Sequence, residues 1–162
     1  MGQVTGFERT LVLIKPDAMA RRLAGRILSR FEDKGLTPVG LKLVAVSEDL
    51  AARLYAEHRD KPFYDGLVRF ITSGPVIALA AEGKEAIEVC RRLAGATCGR
   101  EARPGTIRGD FGMSNRFNLV HASDTPVAAR RELDLFFRAD EMLGTDATSI
   151  AHVYDLSGPE PL

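Results

Sequence analysis

Four short apolar segments alternate with segments of helical periodicity, and this alternation restricts the fold more than any other feature of the chain. The apolar segments predict β-strands at 9–14, 37–46, 76–81 and 118–121. The first is an almost uninterrupted apolar run, which is typical of a central strand. In the second, we expect alternate residues to share one face, namely Val39, Leu41, Leu43 and Ala45.

The segments between the strands have the periodicity of amphipathic helices. They predict helices over 18–34, 48–58, 63–71 and 85–93, and a last helix that begins near Pro126. The first helix has an apolar stripe made of Leu23, Ile27 and Phe31. Asp17 is its predicted N-cap, and Gly35 stands where a C-terminal glycine belongs.

This order of elements predicts an α/β (α+β) fold built from two split βαβ units. We expect a ferredoxin-like sandwich with a four-stranded antiparallel sheet. The helical hairpin over 48–71 is an insertion between the two halves and a candidate lid. The long irregular segment 96–117 is a candidate functional loop. A length of 162 residues suits a single domain over 1–162, with a core at about 8–137 and a C-terminal extension at 138–162.

Composition excludes several classes of protein. Lys plus Arg and Asp plus Glu are each 22, so a nucleic-acid partner held by bulk charge is not indicated. No apolar run approaches the ~20 residues of a membrane span. Two cysteines, Cys90 and Cys98, make neither a disulfide framework nor a zinc site. The N-terminus has no segment like a signal peptide, so we expect a cytoplasmic protein without a membrane partner.

The first candidate for chemistry is His121, which ends the fourth predicted strand. Glu132 lies in the following helix and could bind one imidazole nitrogen, which would make the other nitrogen a better nucleophile. Ser123 could hold that carboxylate in turn. The adjacent Ser123 and Asp124 also suggest a Ser-His-Asp hydrolase, but no nucleophile elbow of the G-x-S-x-G type is present.

Three cations could surround a phosphate beside His121. Lys15 ends the first strand, Arg91 lies on the helix before the long loop, and Arg108 has a glycine on either side, Gly105 and Gly109. Arginine binds phosphate oxygens as a fork, while lysine acts as a point charge. The chain has no Walker A loop, Rossmann glycine motif or protein-kinase signature, so side chains would have to bind the phosphates.

Several motifs together resemble one family. They are Glu8-Arg9-Thr10-Leu11 with Ile14-Lys15-Pro16-Asp17, Lys61-Pro62-Phe63-Tyr64, Ser73-Gly74-Pro75-Val76, Pro104-Gly105-Thr106-Ile107-Arg108-Gly109-Asp110-Phe111 and Asn118-Leu119-Val120-His121-Ala122-Ser123-Asp124. Their order and spacing resemble those of nucleoside diphosphate kinases over about 8–137. The last two motifs are the most specific.

The resemblance implies a ping-pong transfer of the γ-phosphate from a nucleoside triphosphate, usually ATP, to a nucleoside diphosphate. His121 would carry the phosphate on its pros nitrogen as phosphohistidine, assisted by Glu132, Ser123 and Lys15. The resemblance also implies a nucleotide-binding set, made of Lys15, Tyr55, Phe63, Leu67, Arg91, Thr97, Arg108 and Asn118. Among these, Phe63 would stack on the base.

Magnesium is the implied cofactor, held by the nucleotide phosphates and not directly by protein ligands. The implied partners are nucleoside di- and triphosphates and further copies of the chain, as a tetramer or hexamer. The chain departs from the usual family pattern at Ala122, at Cys98-Gly99, and at Arg116-Phe117, where Gly-Arg often stands. The alternative to an enzyme is a non-catalytic nucleotide-binding or regulatory module on the same fold.

Overall fold

A computed structural model describes residues 6–145 and 150–154 and contains one four-stranded antiparallel sheet over that part of the chain. The strands are β1 Phe7–Ile14, β2 Thr37–Ala45, β3 Pro75–Lys84 and β4 Val120–Ala122. They lie in the order β2-β3-β1-β4, and every neighbouring pair is antiparallel. The predicted ferredoxin-like sandwich is therefore confirmed, with β1 as a central strand.

Seven α-helices flank this sheet within the described ranges. They are α1 Pro16–Ala20, α2 Ala24–Asp33, α3 Glu48–Leu54, α4 Tyr64–Ile71, α5 Ala86–Ala94, α6 Ile107–Phe111 and α7 Pro126–Phe136. Short 3₁₀ helices occur at Ala56–His58 and Ala139–Glu141. In residues 6–145 and 150–154, no helix is both long enough and apolar enough to cross a membrane.

Alternation along β1 divides the core into two layers. Val12 and Ile14 are buried in one layer, against α2 and α5. Leu11 and Leu13 are buried in the other layer, against α3, α4 and α7. Successive side chains of a strand point to opposite faces, so this pattern fixes the register of every strand paired with β1. Because Leu13 pairs with His121, the histidine faces the layer that contains α7.

The predicted helix over 18–34 is wrong as a single element, because two helices occupy this segment. Arg22 has a left-handed backbone with φ of 56°, which ends α1 before α2 begins. The predicted stripe still packs, since Leu23, Ile27 and Phe31 are buried in one cluster. Gly35 follows α2 with φ of 93°, as expected for a residue that ends a helix.

The predicted common face of β2 is also wrong. The pairing register shifts between Pro38 and Gly40, which is the mark of a β-bulge. Val39 is buried, whereas Leu41 and Leu43, beyond the bulge, are 51% and 65% exposed. A bulge changes which side chains face the core, and hydrophobic alternation alone does not reveal it.

The long loop contains a helix that periodicity did not predict. Helix α6 has only five residues, too few to show a repeat. Its N-cap is Thr106, whose hydroxyl accepts a hydrogen bond from the Gly109 N–H at 3.0 Å. This helix presents Arg108 to the site described below.

Candidate active site

A cleft with a volume of about 540 Å³ opens between the ends of β1 and β4 and the helical hairpin. All predicted site residues except Ser123 line it: Lys15, Tyr55, Phe63, Leu67, Arg91, Thr97, Arg108, Asn118, His121 and Glu132. Ser123 is buried beneath the cleft and contacts Glu132. The structure therefore brings the whole predicted set together.

His121, Glu132 and Ser123 share one carboxylate oxygen. His121 Nε2 lies 2.7 Å from Glu132 Oε2, and the Ser123 hydroxyl donates to the same oxygen at 2.7 Å. Thr125 caps α7 through the Ala128 N–H, which sets the start of the helix that contains Glu132. The serine is thus bonded to the glutamate and not to the histidine, which argues against the hydrolase arrangement.

The charge of Glu132 follows from its partners. Burial would raise the pKa of Glu132, but the hydrogen bonds from His121 and Ser123 and the charge of Arg131 hold that pKa below its usual value. An ionised carboxylate only accepts hydrogen bonds, so Nε2 of His121 carries the proton. The second nitrogen, Nδ1, then has a lone pair and has no hydrogen-bond partner in the described structure.

A strained turn places His121 at the end of the sheet. Leu119 has φ of 73°, and the Val120 N–H donates to the Asn118 carbonyl at 2.8 Å across it. Such backbone persists only where neighbours hold it. Here the Lys15 N–H donates to the Leu119 carbonyl at 2.8 Å, and Asp17 accepts the Leu119 N–H at 3.1 Å. Asp17 therefore supports this turn and does not cap a helix as predicted.

Lys15 is buried beside the same turn. Its Nζ donates to Asn118 Oδ1 at 2.7 Å, and Asn118 Nδ2 donates to the Thr97 carbonyl at 3.1 Å. Burial, reinforced by the charge of Arg108, lowers the pKa of Lys15 to about 8, while Asp17 opposes the change. A buried lysine in a cleft attracts an anion strongly, because little water screens its charge.

Arg108 is fixed by backbone carbonyls. Its guanidinium donates to the carbonyls of Gly95 at 2.8 Å, Val120 at 2.8 Å and Asn118 at 3.1 Å. Burial and the nearby charge of Arg91 lower the pKa of Arg108 to about 10, so it remains cationic near neutral pH. Two arginines and a lysine beside His121 form a preorganised site for a polyphosphate.

Aromatic residues form the opposite side of the cleft. Phe63 is 50% exposed just before α4, and Leu67 lies one turn further along that helix. The His58 ring lies between Phe63 and Tyr55, with ring centroids 5.7 Å and 6.3 Å away. Tyr55 is buried with its hydroxyl unpartnered in the described structure. Burial and the charge of Glu132 raise the Tyr55 pKa, so the hydroxyl keeps its proton.

Sequence reasoning missed three further cleft residues, His58, Arg116 and Arg131. No motif of the sequence includes His58. Arg131 lies beside Glu132 in sequence and donates to the Arg53 carbonyl at 3.0 Å, which links α7 to the end of α3. The position of Arg131 next to Glu132 in sequence could have placed it in the cleft, whereas only the tertiary fold shows that Arg116 lines the cleft.

Comparisons with known proteins agree with this geometry. The sequence model of the nucleoside diphosphate kinase family matches residues 8–142. The nucleoside diphosphate kinase of Rhodopirellula baltica is 58% identical over 134 residues, which cover 83% of this chain and 88% of that protein. That of Thermoplasma acidophilum is 55% identical over 136 residues, or 84% of this chain and 92% of its own. The chain belongs to the nucleoside diphosphate kinase family.

The structural comparison gives the same result. A halophilic nucleoside diphosphate kinase from Halobacterium salinarum, solved in complex with CDP, superposes with a TM-score of 0.89. It is 51% identical, and the match covers 91% of this chain and 99% of that one. The chain is therefore a nucleotide-binding phosphotransferase that moves the γ-phosphate of a nucleoside triphosphate to a nucleoside diphosphate. This identification supports the enzyme over the non-catalytic module.

Proposed function

We propose that His121 is the nucleophile and carries the phosphate on Nδ1, its pros nitrogen, in a ping-pong reaction. The supporting observation is the 2.7 Å contact between His121 Nε2 and Glu132 Oε2, which occupies one imidazole nitrogen. The other nitrogen belongs to a cleft-lining ring and has the lone pair that an attack requires.

In the first half-reaction, the Nδ1 lone pair forms a bond to the γ-phosphorus while the bond from that phosphorus to the β,γ-bridging oxygen breaks. The nucleoside diphosphate leaves with that electron pair. The imidazole ring gains positive charge, which the Glu132 carboxylate stabilises, and Ser123 holds the carboxylate in place. The acceptor diphosphate reverses these steps with its own terminal oxygen.

The cations stabilise the negative charge that builds up on the leaving oxygen. Arg108 is held by three carbonyls and Lys15 by Asn118, so neither must reorganise during the reaction. Arg91 and the neutral Tyr55 hydroxyl add donors on the same walls of the cleft, and Thr97 and Asn118 add polar groups near the ribose. Removal of one such donor costs ~3 kcal/mol of transition-state stabilisation.

We propose that the base stacks on Phe63 and packs against Leu67. Both side chains line the cleft on the helical hairpin, away from the cluster of cations. Every base has a π-face, so stacking gives a broad tolerance of bases.

A nucleotide kinase reaction generally uses a divalent metal ion, and we propose that this one uses Mg²⁺ held by the nucleotide phosphates. Bound there, it would offset the negative charge of the phosphates during transfer. In residues 6–145 and 150–154, no three His, Cys, Asp or Glu side chains are grouped so that they could hold a metal ion. Glu132 is already bonded to His121 and Ser123, so the donor set of the cleft suits phosphate more than metal.

We further propose a single domain over 1–162, a cytoplasmic location and a homo-oligomeric state. Ile150 is buried, and the Tyr154 ring packs at a tilt against Phe7 with centroids 4.9 Å apart, which supports a C-terminal extension that packs on the core. Cys90 and Cys98 are both free thiols, as suits a reducing compartment and therefore the proposed cytoplasmic location.

The homo-oligomeric state is supported by the exposed apolar residues of β2, Leu41 and Leu43.

The decisive experiment is incubation with γ-labelled ATP and Mg²⁺, followed by acid and base treatment of the protein. We expect label that is lost in acid and retained in base, which indicates phosphohistidine. His121→Ala should take up no label and lose NTP-to-NDP transfer, with an unchanged far-UV spectrum. His58→Ala is the matched control, because it removes another imidazole of the cleft and keeps His121. The proposal is supported if the wild type and His58→Ala take up label and His121→Ala does not. A labelled His121→Ala protein would contradict it.

A further inference from the structure

The cleft contains one arginine for which the catalytic scheme has no use. Arg116 lines the cleft together with Phe63 and Leu67. The side chains of Lys15, Arg108 and Arg131 are each hydrogen-bonded to the protein. The Arg116 guanidinium has no hydrogen bond or ion pair among the described residues, so its five N–H donors are available to a ligand.

The backbone around Arg116 is well anchored, so its position is not that of a loose surface chain. The Ser114 hydroxyl accepts the N–H groups of Arg116 and Phe117, each at 3.2 Å. The Phe117 ring packs edge-on against Phe70 of α4, with centroids 5.2 Å apart. The Ser114 carbonyl accepts the Gly99 N–H at 3.2 Å. The ring contact ties the Arg116 segment to α4, and the Gly99 hydrogen bond ties it to the long loop.

The guanidinium itself rests on that helix. A Cβ atom added to Gly66 would lie 3.0 Å from Arg116 Nη2 and 3.3 Å from its Cζ, so the head group occupies the space beside this glycine. Gly66 immediately precedes Leu67, and Phe63 lies just before the helix. Arg116 therefore borders the part of the cleft that we assign to the base, and not the phosphate end near His121.

We propose that Arg116 contacts the edge of the base and favours guanine and hypoxanthine over adenine. The inference rests on the proposed stacking of the base on Phe63. Guanine and hypoxanthine present two neighbouring acceptors, O6 and N7, which match the arginine fork. Adenine replaces O6 with an amino donor, which cannot accept from a group that only donates. The result is a moderate bias within a broad tolerance of bases.

The test compares GDP, IDP and ADP as phosphate acceptors from a common donor. In Arg116→Met, we expect the ratio of kcat/KM for GDP to that for ADP to fall roughly fivefold, the lower end of what a bidentate arginine–guanine contact contributes. The IDP to ADP ratio should fall equally, because the guanine amino group is not involved. Arg116→Lys should restore little, since an ammonium lacks the fork.

Two further variants make the result decisive. Gly66→Ala would displace the guanidinium without changing charge, and it should lower the same ratios. Arg100→Ala removes an exposed arginine outside the cleft and should leave the ratios unchanged. Equal losses of kcat/KM for all three acceptors, or rescue by lysine, would overturn the proposal in favour of a charge effect on the phosphates. An Arg116→Met protein with no loss for any acceptor would also overturn it, because Arg116 would then not contact the base. Failure of His121 to label would instead contradict the proposed function.

Discussion

At the scale of single residues, the site depends on charged groups that are buried but paired. Glu132 is almost fully buried, and two hydrogen bonds to one of its oxygens keep it ionised. Lys15 is also buried, but its one side-chain hydrogen bond goes to a neutral amide, Asn118. The lysine therefore bears more of the cost of burial than the glutamate does, and its pKa moves toward neutrality.

This difference predicts a pH effect on catalysis. The pKa of Lys15 is lowered to about 8, and a lysine is charged below its pKa, so its attraction for phosphate is present at pH 7 and is lost as the pH rises past about 8. We expect kcat/KM, which reports the free enzyme, to fall above that pH. The fall in kcat should come at higher pH, because bound phosphates favour the charged amine.

The measurement is a pH profile of both parameters between pH 6.5 and about 9 at constant ionic strength, chosen to span the altered pKa of Lys15 and to stay below that of Arg108. In Lys15→Arg, the cation does not titrate in this range, so the decline should disappear even if the overall rate is lower. A wild-type profile that stays flat, or a decline of equal size in the arginine variant, would show that Lys15 is not the titrating group.

At the scale of elements, two helices bring the chemistry to the end of the sheet. Helix α7 positions Glu132 beneath His121, and α6 positions Arg108 beside it. The short helix α6 depends on close backbone contact. A Cβ at Gly109 would lie 2.0 Å from the Arg103 carbonyl oxygen, a distance that no side-chain atom can occupy.

We therefore predict that Gly109→Ala shifts α6 and displaces Arg108. The overlap is with backbone, so it should reduce the free energy of unfolding by about 2 kcal/mol or more. Phosphate transfer should fall as well, because Arg108 loses its carbonyl partners. Gly25→Ala is the matched control, since no atom lies within 4 Å of its added Cβ and it stands inside α2.

Urea unfolding and transfer assays on both variants check this prediction. The control should be neutral or more stable by about 0.5–1 kcal/mol, because alanine is a better helix former than glycine. A Gly109→Ala protein with wild-type stability and wild-type transfer would mean that α6 tolerates the methyl group and does not depend on this contact.

The elements also show what the sequence could and could not predict. The strands, the ferredoxin-like sandwich and the motif residues could be predicted, because periodicity and short motifs are local properties of the chain. The β-bulge near Val39 and the hydrogen-bond partner of Asp17 could not, because each depends on contacts between distant segments. The break at Arg22 could not either, because its left-handed backbone falls on an arginine, a residue type that does not signal a turn. The position of Arg116 in the cleft could not be predicted either, because it depends on the packing of Phe117 against α4.

At the scale of the whole molecule, the sheet has an outer strand with an uncovered apolar face. On β2, Lys42 pairs with Glu141 at 2.8 Å and lies 5.1 Å from the centre of the Phe137 ring, so this residue faces the α7 layer. Leu41 and Leu43 point the other way and are 51% and 65% exposed. An outer strand with exposed leucines is a surface that pairs readily with another chain.

We predict that a second copy of the chain covers this face. Wild-type protein should sediment as a tetramer or hexamer of the 17.7 kDa chain, and the sedimentation mass decides between the two. The double variant Leu41→Lys/Leu43→Lys should sediment as a smaller species, because each buried leucine contributes about 1.5–3 kcal/mol and a lysine must keep its charge in water. Val127→Lys is the control, since Val127 is 80% exposed on α7, outside β2. An assembly that survives the double variant, or one that Val127→Lys disrupts equally, would exclude β2 as the contact and place self-association on another surface.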